Sequence, residues 1–363
     1  MSAPKAIVVL GMFDLSRLDS ARPIRIYDLF TSLHALTPAT LISGNRTPRR
    51  LAVLRYLLSG GLNRTRAVYV EASTSTATEI DLLFLSMARA AGIPIVVYIS
   101  DGYQPFPDLY PRRGWKVKLL DWGWRRSIAA YLRLADLLLF PSHDLAACFD
   151  HHPQRNKRKV EFNVLPPAGR LNREWNPPAT EPPVVVFAGE TSYRYGSDLL
   201  LKAMVRVVTR YANAHCYIIT PNAAFLNGNP ARHASWLTVA SRTFDELAPI
   251  MRAATLAIIP LRVNAYNDLA VPAKLFDFMS YGRPLVVTTC RNTAMLVNEL
   301  EAGLIVEDNA KALARGIMRL IEDPDLAVRL GSNGYRTIQT AHSWSHRAKQ
   351  LLQMIEEIEA RVK

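Results

Sequence analysis

The sequence predicts an α/β chain of two Rossmann-like, doubly wound parallel-sheet domains facing a central cleft. Three observations carry this. The 363 residues exceed the length at which a single core stops growing, ~250–300 residues. Short, near-continuous apolar runs alternate with longer helical stretches along the whole chain, the pattern of a parallel sheet covered on both faces. The alternation breaks once, at Asn176-Pro177-Pro178-Ala179-Thr180-Glu181-Pro182-Pro183, and then restarts. Proline lacks an amide donor and disfavours helix before it, so this stretch reads as an interdomain linker. The expected domains are residues 1–180 and 181–363, with the final helix, 345–363, expected to pack back onto the first.

In chain order, the first strand is Ala6–Leu10, ending in Gly11-Met12-Phe13-Asp14. One cation and so short an apolar run read as a strand and its loop, not a signal peptide. Helix-like stretches follow at Pro23–Leu36, Arg49–Ser59, Thr78–Ala91 and Trp115–Ala135. Strands are expected at Ala67–Val70, Pro94–Ile99, Leu137–Phe140 and Val160–Leu165. After the prolines come strand Val184–Ala188, helix Ser197–Tyr211, and strands Cys216–Ile219 and Leu237–Ala240. Helix Asp245–Ala253, strand Leu256–Ile259, helix Pro272–Tyr281 and strand Leu285–Thr288 complete the pattern; the remainder reads as helical, ending in Ser345–Val362. Sheets of this kind place ligands at the carboxyl ends of their strands.

With 49% hydrophobic and 21% charged residues the chain is no disordered segment, and no apolar run approaches the ~20 residues that cross a bilayer. Three scattered cysteines, Cys148, Cys216 and Cys290, form neither a disulfide framework nor a metal spacing, which suits a reducing, cytoplasmic compartment. No metal or bound cofactor is expected, and P-loop, nucleophile-elbow and Gly-x-Gly-x-x-Gly signatures are missing. The net charge is +13, and it is uneven: residues 1–180 hold 24 cations and 14 anions, residues 181–363 hold 20 and 17. Such asymmetry suggests an anionic partner for the first half.

The stretch with most chemical content is Val271-Pro272-Ala273-Lys274-Leu275-Phe276-Asp277-Phe278-Met279-Ser280-Tyr281-Gly282-Arg283-Pro284. Pro272 fits a first helical turn, and Gly282 with Pro284 fits a helix end. Lys274 and Asp277, three apart, share a face near the end where free N–H groups favour a phosphate. The pair reads either as an i,i+3 ion pair or as a cation for a diphosphate beside a carboxylate for ribose hydroxyls.

Here the chain resembles the GT-B glycosyltransferases of the retaining, nucleotide-sugar-dependent kind, often called family 4. Their donor-domain helix reads like Pro-x-Lys-Leu-x-Glu-Tyr-Met-Ala-x-Gly-x-Pro, close to Pro272 through Pro284. Phe187-Ala188-Gly189 followed by Tyr195-Gly196-Ser197-Asp198-Leu199-Leu200 is similar to the family's strand, glycine turn and helix start. Ala135-Asp136-Leu137-Leu138-Leu139-Phe140-Pro141-Ser142, Asp323-Pro324, Leu330-Gly331 and Ser343-Trp344 extend the resemblance over nearly the whole chain. It implies transfer of a sugar from a UDP- or GDP-sugar to a glycan or lipid-linked acceptor, with retention of configuration. Donor-binding positions would be Gly189, Glu190, Tyr193, Tyr195, Val271, Pro272 and Asp277. Lys274 and Arg194 would stabilise the departing diphosphate. Two positions depart from the family: Glu190 and Tyr195 stand where it usually has an Arg and a Lys, and Arg194 is the nearby replacement cation. In the first domain Gly11 and Asp14, after strand one, and Ser100 with Asp101, after another strand, would face the acceptor and sugar. Asp101 reads either as a ligand of a sugar hydroxyl or as a turn cap.

Residues 111–126 hold six cations, one anion and three tryptophans, and make an anionic membrane surface a candidate partner, the alternative being a core-packing helix with solvated cations. Arg155-Asn156-Lys157-Arg158-Lys159 reads as a solvated turn, and Asp323-Pro324-Asp325 as a helix N-cap rather than a metal motif. Nucleic acid is not expected as a partner, since only the charge favours it. The competing reading is a GT-B-like binding or partner protein that has lost catalysis.

Overall fold

A computed structural model describes residues 4–16, 18, 21–72, 76–101, 114–152, 160–172, 174–242 and 244–362. The first sheet is built from β1 (Ala6–Gly11), β2 (Ala39–Ser43), β3 (Thr65–Ala72), β4 (Ile95–Ile99), β5 (Leu137–Phe140) and β6 (Glu161–Val164). Helices α1 (Ala21–His34), α2 (Arg46–Leu58), α3 (Glu79–Ala90), α4 (Trp115–Leu134) and α5 (His143–Ala147) alternate with them. The strand order is β2-β1-β3-β4-β5-β6, every pairing parallel. All five residues of β4 and Ile7 to Gly11 of β1 are buried, as strands covered on both faces must be. Between α2 and α3, Arg49 donates from Nη2 to Asp81 Oδ2 at 2.9 Å, and both side chains are fully buried. Asp81 also closes a capping box with Thr78 at the start of α3.

The second sheet comprises β7 (Val184–Ala188), β8 (His215–Ile219), β9 (Leu237–Ala240), β10 (Leu256–Ile259), β11 (Leu285–Thr288) and β12 (Gly303–Val306). Its helices are α6 (Ser197–Arg210), α7 (Phe244–Ala253), α8 (Ala273–Ser280), α9 (Arg291–Glu299), α10 (Ala310–Glu322) and α11 (Pro324–Thr340); α12 (Trp344–Val362) follows. The order is β12-β11-β10-β7-β8-β9, again all parallel. Strand periodicity sends Val185 and Phe187 to one face, against Leu200 and Met204 of α6 and Ile317 of α10. Val184 and Val186 face the other way, with Met251 of α7 and Phe276 of α8.

The chain divides into two compact units: residues 1–17, 22–166 and 344–363, and residues 18–21 and 167–343. Helix α12 belongs to the first, where Arg66 Nε donates to Glu359 at 2.9 Å and Arg347 Nε donates to the Pro166 carbonyl at 2.9 Å. The proline-rich stretch lies in the second unit. There the buried Arg283 guanidinium donates to the carbonyls of Asn176, Pro177 and Ala254.

Two edge strands differ from the sequence reading. β2 was not expected, and β12 falls in the part read as wholly helical. Each is partly exposed; β2 has its apolar residues broken by Thr40, whereas β12, Gly303-Leu304-Ile305-Val306, is a short apolar run between two helices. Asp323 is an N-cap, accepting from Leu326 N at 2.9 Å. The cluster at 155–159 lies outside the described residues.

Candidate functional site

In the second unit, candidate residues from two separated segments meet beyond the carboxyl end of β7. Gly189 follows that strand with φ +129, a conformation that side chains rarely adopt. A Cβ there would stand 3.0 Å from Lys274 Nζ, so the glycine leaves the space that the ammonium fills. Lys274 enters from the first turn of α8. Its ammonium lies 4.5 Å from the centre of the Phe187 ring and 5.5 Å from that of Tyr195. Burial pushes its pKa down to about 8, with the Glu190 carboxylate partly opposing. The i,i+3 pair with Asp277 is therefore not what holds this lysine. It faces the glycine turn and aromatic rings, and the charge that acts on it is that of Glu190.

Arg194 joins the same neighbourhood through Tyr195. Its guanidinium lies 4.9 Å from the Tyr195 ring centre and 5.1 Å from that of Tyr266, and Nη2 donates to the Tyr195 hydroxyl at 3.2 Å. One aromatic ring thus carries Lys274 and Arg194 together. Gly196, at φ +69, ends this loop and starts α6; a Cβ there would stand 1.6 Å from the Pro260 carbonyl oxygen. No side chain fits so close a crossing, and the crossing ties loop 191–196 to β10.

Arg262, which sequence reasoning missed, fixes the loop from the other side. It donates to Asp198 at 2.5 Å and to Asp308 at 3.0 Å, and lies 4.6 Å from the centre of the exposed Tyr193 ring. Its amide and the Asn267 side chain both donate to the Arg194 carbonyl, at 3.1 Å each. The available signal was a cation three residues past strand β10 together with two distant acids, a spacing no local pattern reveals. Asn267 begins the short 3-10 turn Asn267–Leu269 that leads to Val271 and Pro272, and Asp268 accepts from Arg291 N at 2.9 Å. Val271 and Pro272 are half-buried before α8, with Pro272 at its N-cap. Asp277 is also half-buried, one turn beyond Lys274.

In the first unit, Gly11 ends β1, paired in register with Ser43 and Glu71, and a Cβ on it would meet Ile26 at 3.0 Å. Asp14 is exposed and accepts from Ser16 N at 2.9 Å. Ser100 and Asp101 follow β4, and the Asp101 carboxylate pairs with Arg22 of α1 at 2.8 Å. Sequence reasoning missed that arginine and a second, Arg25, which donates to the buried Glu71 at 2.8 Å and stacks 3.6 Å from the centre of the Tyr98 ring. Burial pushes the Glu71 carboxyl above its ordinary range against the pull of Arg25, and Tyr69 donates to its other oxygen at 2.5 Å. Two arginines at the start of a helix, against its dipole, were the readable signal that acids must lie opposite. Among the described residues no three His, Cys, Asp or Glu side chains are grouped to hold a metal ion.

Chemically, the second-unit arrangement offers two cations and a glycine-lined approach to an anionic group, with a carboxylate one helical turn away. Residues 182–323 match the family model described as Glycosyl transferases group 1. An uncharacterized glycosyltransferase of Methanocaldococcus jannaschii is 28% identical over 104 residues, 28% of either chain, so the match spans little more than a quarter of that relative. Among solved structures, a sucrose-phosphate synthase from Thermosynechococcus elongatus aligns with TM-score 0.69 at 15% identity, over 98% of this chain and all of that one. HepE of Anabaena, solved with UDP-glucose, gives 0.66 at 14% identity, over 97% and 99%. WaaG, a glycosyltransferase of lipopolysaccharide biosynthesis, gives 0.62 at 13%, over 95% and 98%. The chain therefore has the two-domain GT-B fold, and residues 182–323 of it are similar to the glycosyl transferases group 1.

Proposed function

We propose that this protein transfers a sugar from a nucleotide-sugar donor, a UDP- or GDP-sugar, to a glycan or lipid-linked acceptor, with retention of anomeric configuration. The observation that carries the reading is the Lys274 ammonium held against Gly189 and Tyr195, inside the segment that matches a glycosyltransferase family. The UDP-glucose bound by HepE, a structural neighbour, supports a nucleotide sugar as the donor class.

As the glycosidic bond to the diphosphate breaks, negative charge builds on the leaving oxygen and positive charge on the sugar ring. Lys274 and Arg194 supply cations for the first, held in place before the reaction by aromatic rings and loop hydrogen bonds. A desolvated cation interacts with a developing charge more strongly than a hydrated one, and that is the use of the Phe187 and Tyr195 faces. Asp277 is assigned to ribose hydroxyls, and Val271 and Pro272 to the nucleotide face before α8. In the first unit, Asp101 is assigned to the sugar or acceptor hydroxyls, with Arg22 orienting its carboxylate.

A second reading, a GT-B-like protein that binds nucleotides without turnover, is favoured by Glu190, an acid beside Lys274 where the family usually has an arginine. Incubation of the pure protein with UDP- and GDP-sugars and lipid-linked acceptors separates the two. Release of nucleoside diphosphate that is lost in Lys274→Ala supports transfer. Saturable binding without release supports the second reading, and absence of any nucleotide binding sinks both.

A further inference from the structure

We infer that the outer face of helices α2, α3 and α4 docks on an anionic lipid bilayer. The strand order β2-β1-β3-β4-β5 with right-handed crossovers places these three helices side by side on one face of the first sheet. They touch in sequence, α2 against α3 and α3 against α4.

Each turns apolar side chains outward. On α4, Trp115, Leu119 and Trp122 recur at i, i+4 and i+7 and are 71%, 57% and 59% exposed, with Leu120 beside them at 60%. Trp124 points the other way, 8% exposed against Phe149, so the three tryptophans of this segment have two different tasks. On α2 the outward stripe is Leu51, Leu54 and Leu58, the last 79% exposed. On α3 it is Leu83 and Met87. Large apolar side chains on a solvated helix face are ordinary when single; stripes on three adjacent helices mark a surface that something covers.

Charge selects the occupant. The three helices carry ten cations and three acids. Each acid is already paired within the layer: Asp81 with Arg49, Glu79 with Arg50, Asp121 with Arg125. Arg46 and Arg55 on α2 and Lys118 and Arg126 on α4 are exposed, and Arg126 lies 5.8 Å from the centre of the Trp122 ring. Cations interleaved with tryptophan and leucine, on helices lying in one plane, fit the headgroup region of a bilayer: rings and aliphatic chains enter the boundary while guanidinium groups meet phosphates. A second copy of so cationic a face would repel itself. Among the described residues no helix is long and apolar enough to cross a membrane, so the contact is one of lying on the surface.

This inference rests on the first unit alone, and its outcome is independent of nucleotide binding by residues 182–323. The test is co-sedimentation with vesicles of phosphatidylglycerol and phosphatidylcholine in equal parts, and with phosphatidylcholine alone, while tryptophan emission is followed. The protein is expected to bind the anionic vesicles preferentially, with emission shifting to shorter wavelength. Trp115→Ser/Trp122→Ser and, separately, Leu51→Ser/Leu58→Ser should each weaken binding at least ~tenfold with an unchanged far-ultraviolet spectrum. Lys118→Gln and Arg126→Gln should each cost about fivefold, more at low salt. The inference is overturned if the apolar variants bind like wild type, for then charge alone acts, or if heparin is bound equally well with the same indifference to the tryptophans. It is also overturned if sedimentation shows a dimer that the Trp115→Ser/Trp122→Ser change dissociates while vesicles are ignored.

Discussion

Replacing Lys274 by methionine removes the ammonium and keeps most of the aliphatic volume that packs beside Phe187 and Tyr195. If the ammonium meets the donor diphosphate, the loss is that of a charge-assisted hydrogen bond, about 1.5–3 kcal/mol, or roughly 10–150-fold in Kd for a UDP- or GDP-sugar. Titration of the wild type gives a second handle. With a folded pKa of about 8, half of the free protein carries a neutral Lys274 near that pH. The diphosphate binds the charged form, so affinity should be flat below about pH 7 and fall about tenfold per unit above 8. Stability runs the other way. Between about 8 and 10.5 the unfolded chain holds a proton that the folded protein has lost, so stability without ligand rises with pH through that window. Lys274→Met should accordingly bind poorly while unfolding at the same or a higher temperature near neutral pH, because a desolvated cation has been removed. Calorimetric titration from about pH 6 to 10, with thermal unfolding of both proteins, provides the assay. A pH-independent Kd in wild type, or a methionine variant that binds normally, refutes the reasoning.

Other outcomes follow from the same geometry. Arg25→Ala strands the buried Glu71 carboxylate and should cost about 3–5 kcal/mol in urea unfolding, whereas an exposed change such as Arg55→Ala should lie within ~0.5 kcal/mol. Gly196→Ala sets a methyl 1.6 Å from the Pro260 oxygen and should destabilise by more than ~3 kcal/mol or prevent expression of folded protein. Asp101→Asn and Arg22→Ala should each lower sugar transfer about tenfold or more while leaving nucleotide affinity unchanged; loss of both together would remove them from the acceptor side. Asp323→Ala should cost about 1 kcal/mol by uncapping α11, readable in the thermal midpoint.

Central strands such as Val184–Ala188 were legible because burial on both faces demands an unbroken apolar run. β2 was not, since a partly solvated edge strand needs no such run; β12 has one, but four apolar residues between helical stretches do not distinguish strand from helix, and it was absorbed into a helical reading. Gly189, Tyr195 and Lys274 were readable because glycine, aromatic and cation fall at recognisable points in strand-turn-helix units. Their mutual contact was not readable, because 85 residues separate Gly189 from Lys274 in the chain. Arg262 and the Arg25–Glu71 pair stayed hidden for the same reason: their partners lie on other elements, where only the folded topology brings them. The tryptophans of α4 show the converse. Two positions apart, Trp122 and Trp124 stand on different sides of any helix, but which side faces solvent depends on what the helix packs against.

The central claim is that the diphosphate of a nucleotide sugar rests on Lys274, between Gly189 and the start of α8. A crystal structure of the protein with a bound UDP- or GDP-sugar tests this most directly. The account predicts phosphate oxygens within about 3 Å of Lys274 Nζ, a hydrogen-bonding distance, with the ribose toward Asp277. A bound nucleotide whose phosphates lie away from Lys274, with that side chain unmoved over Phe187, would contradict it.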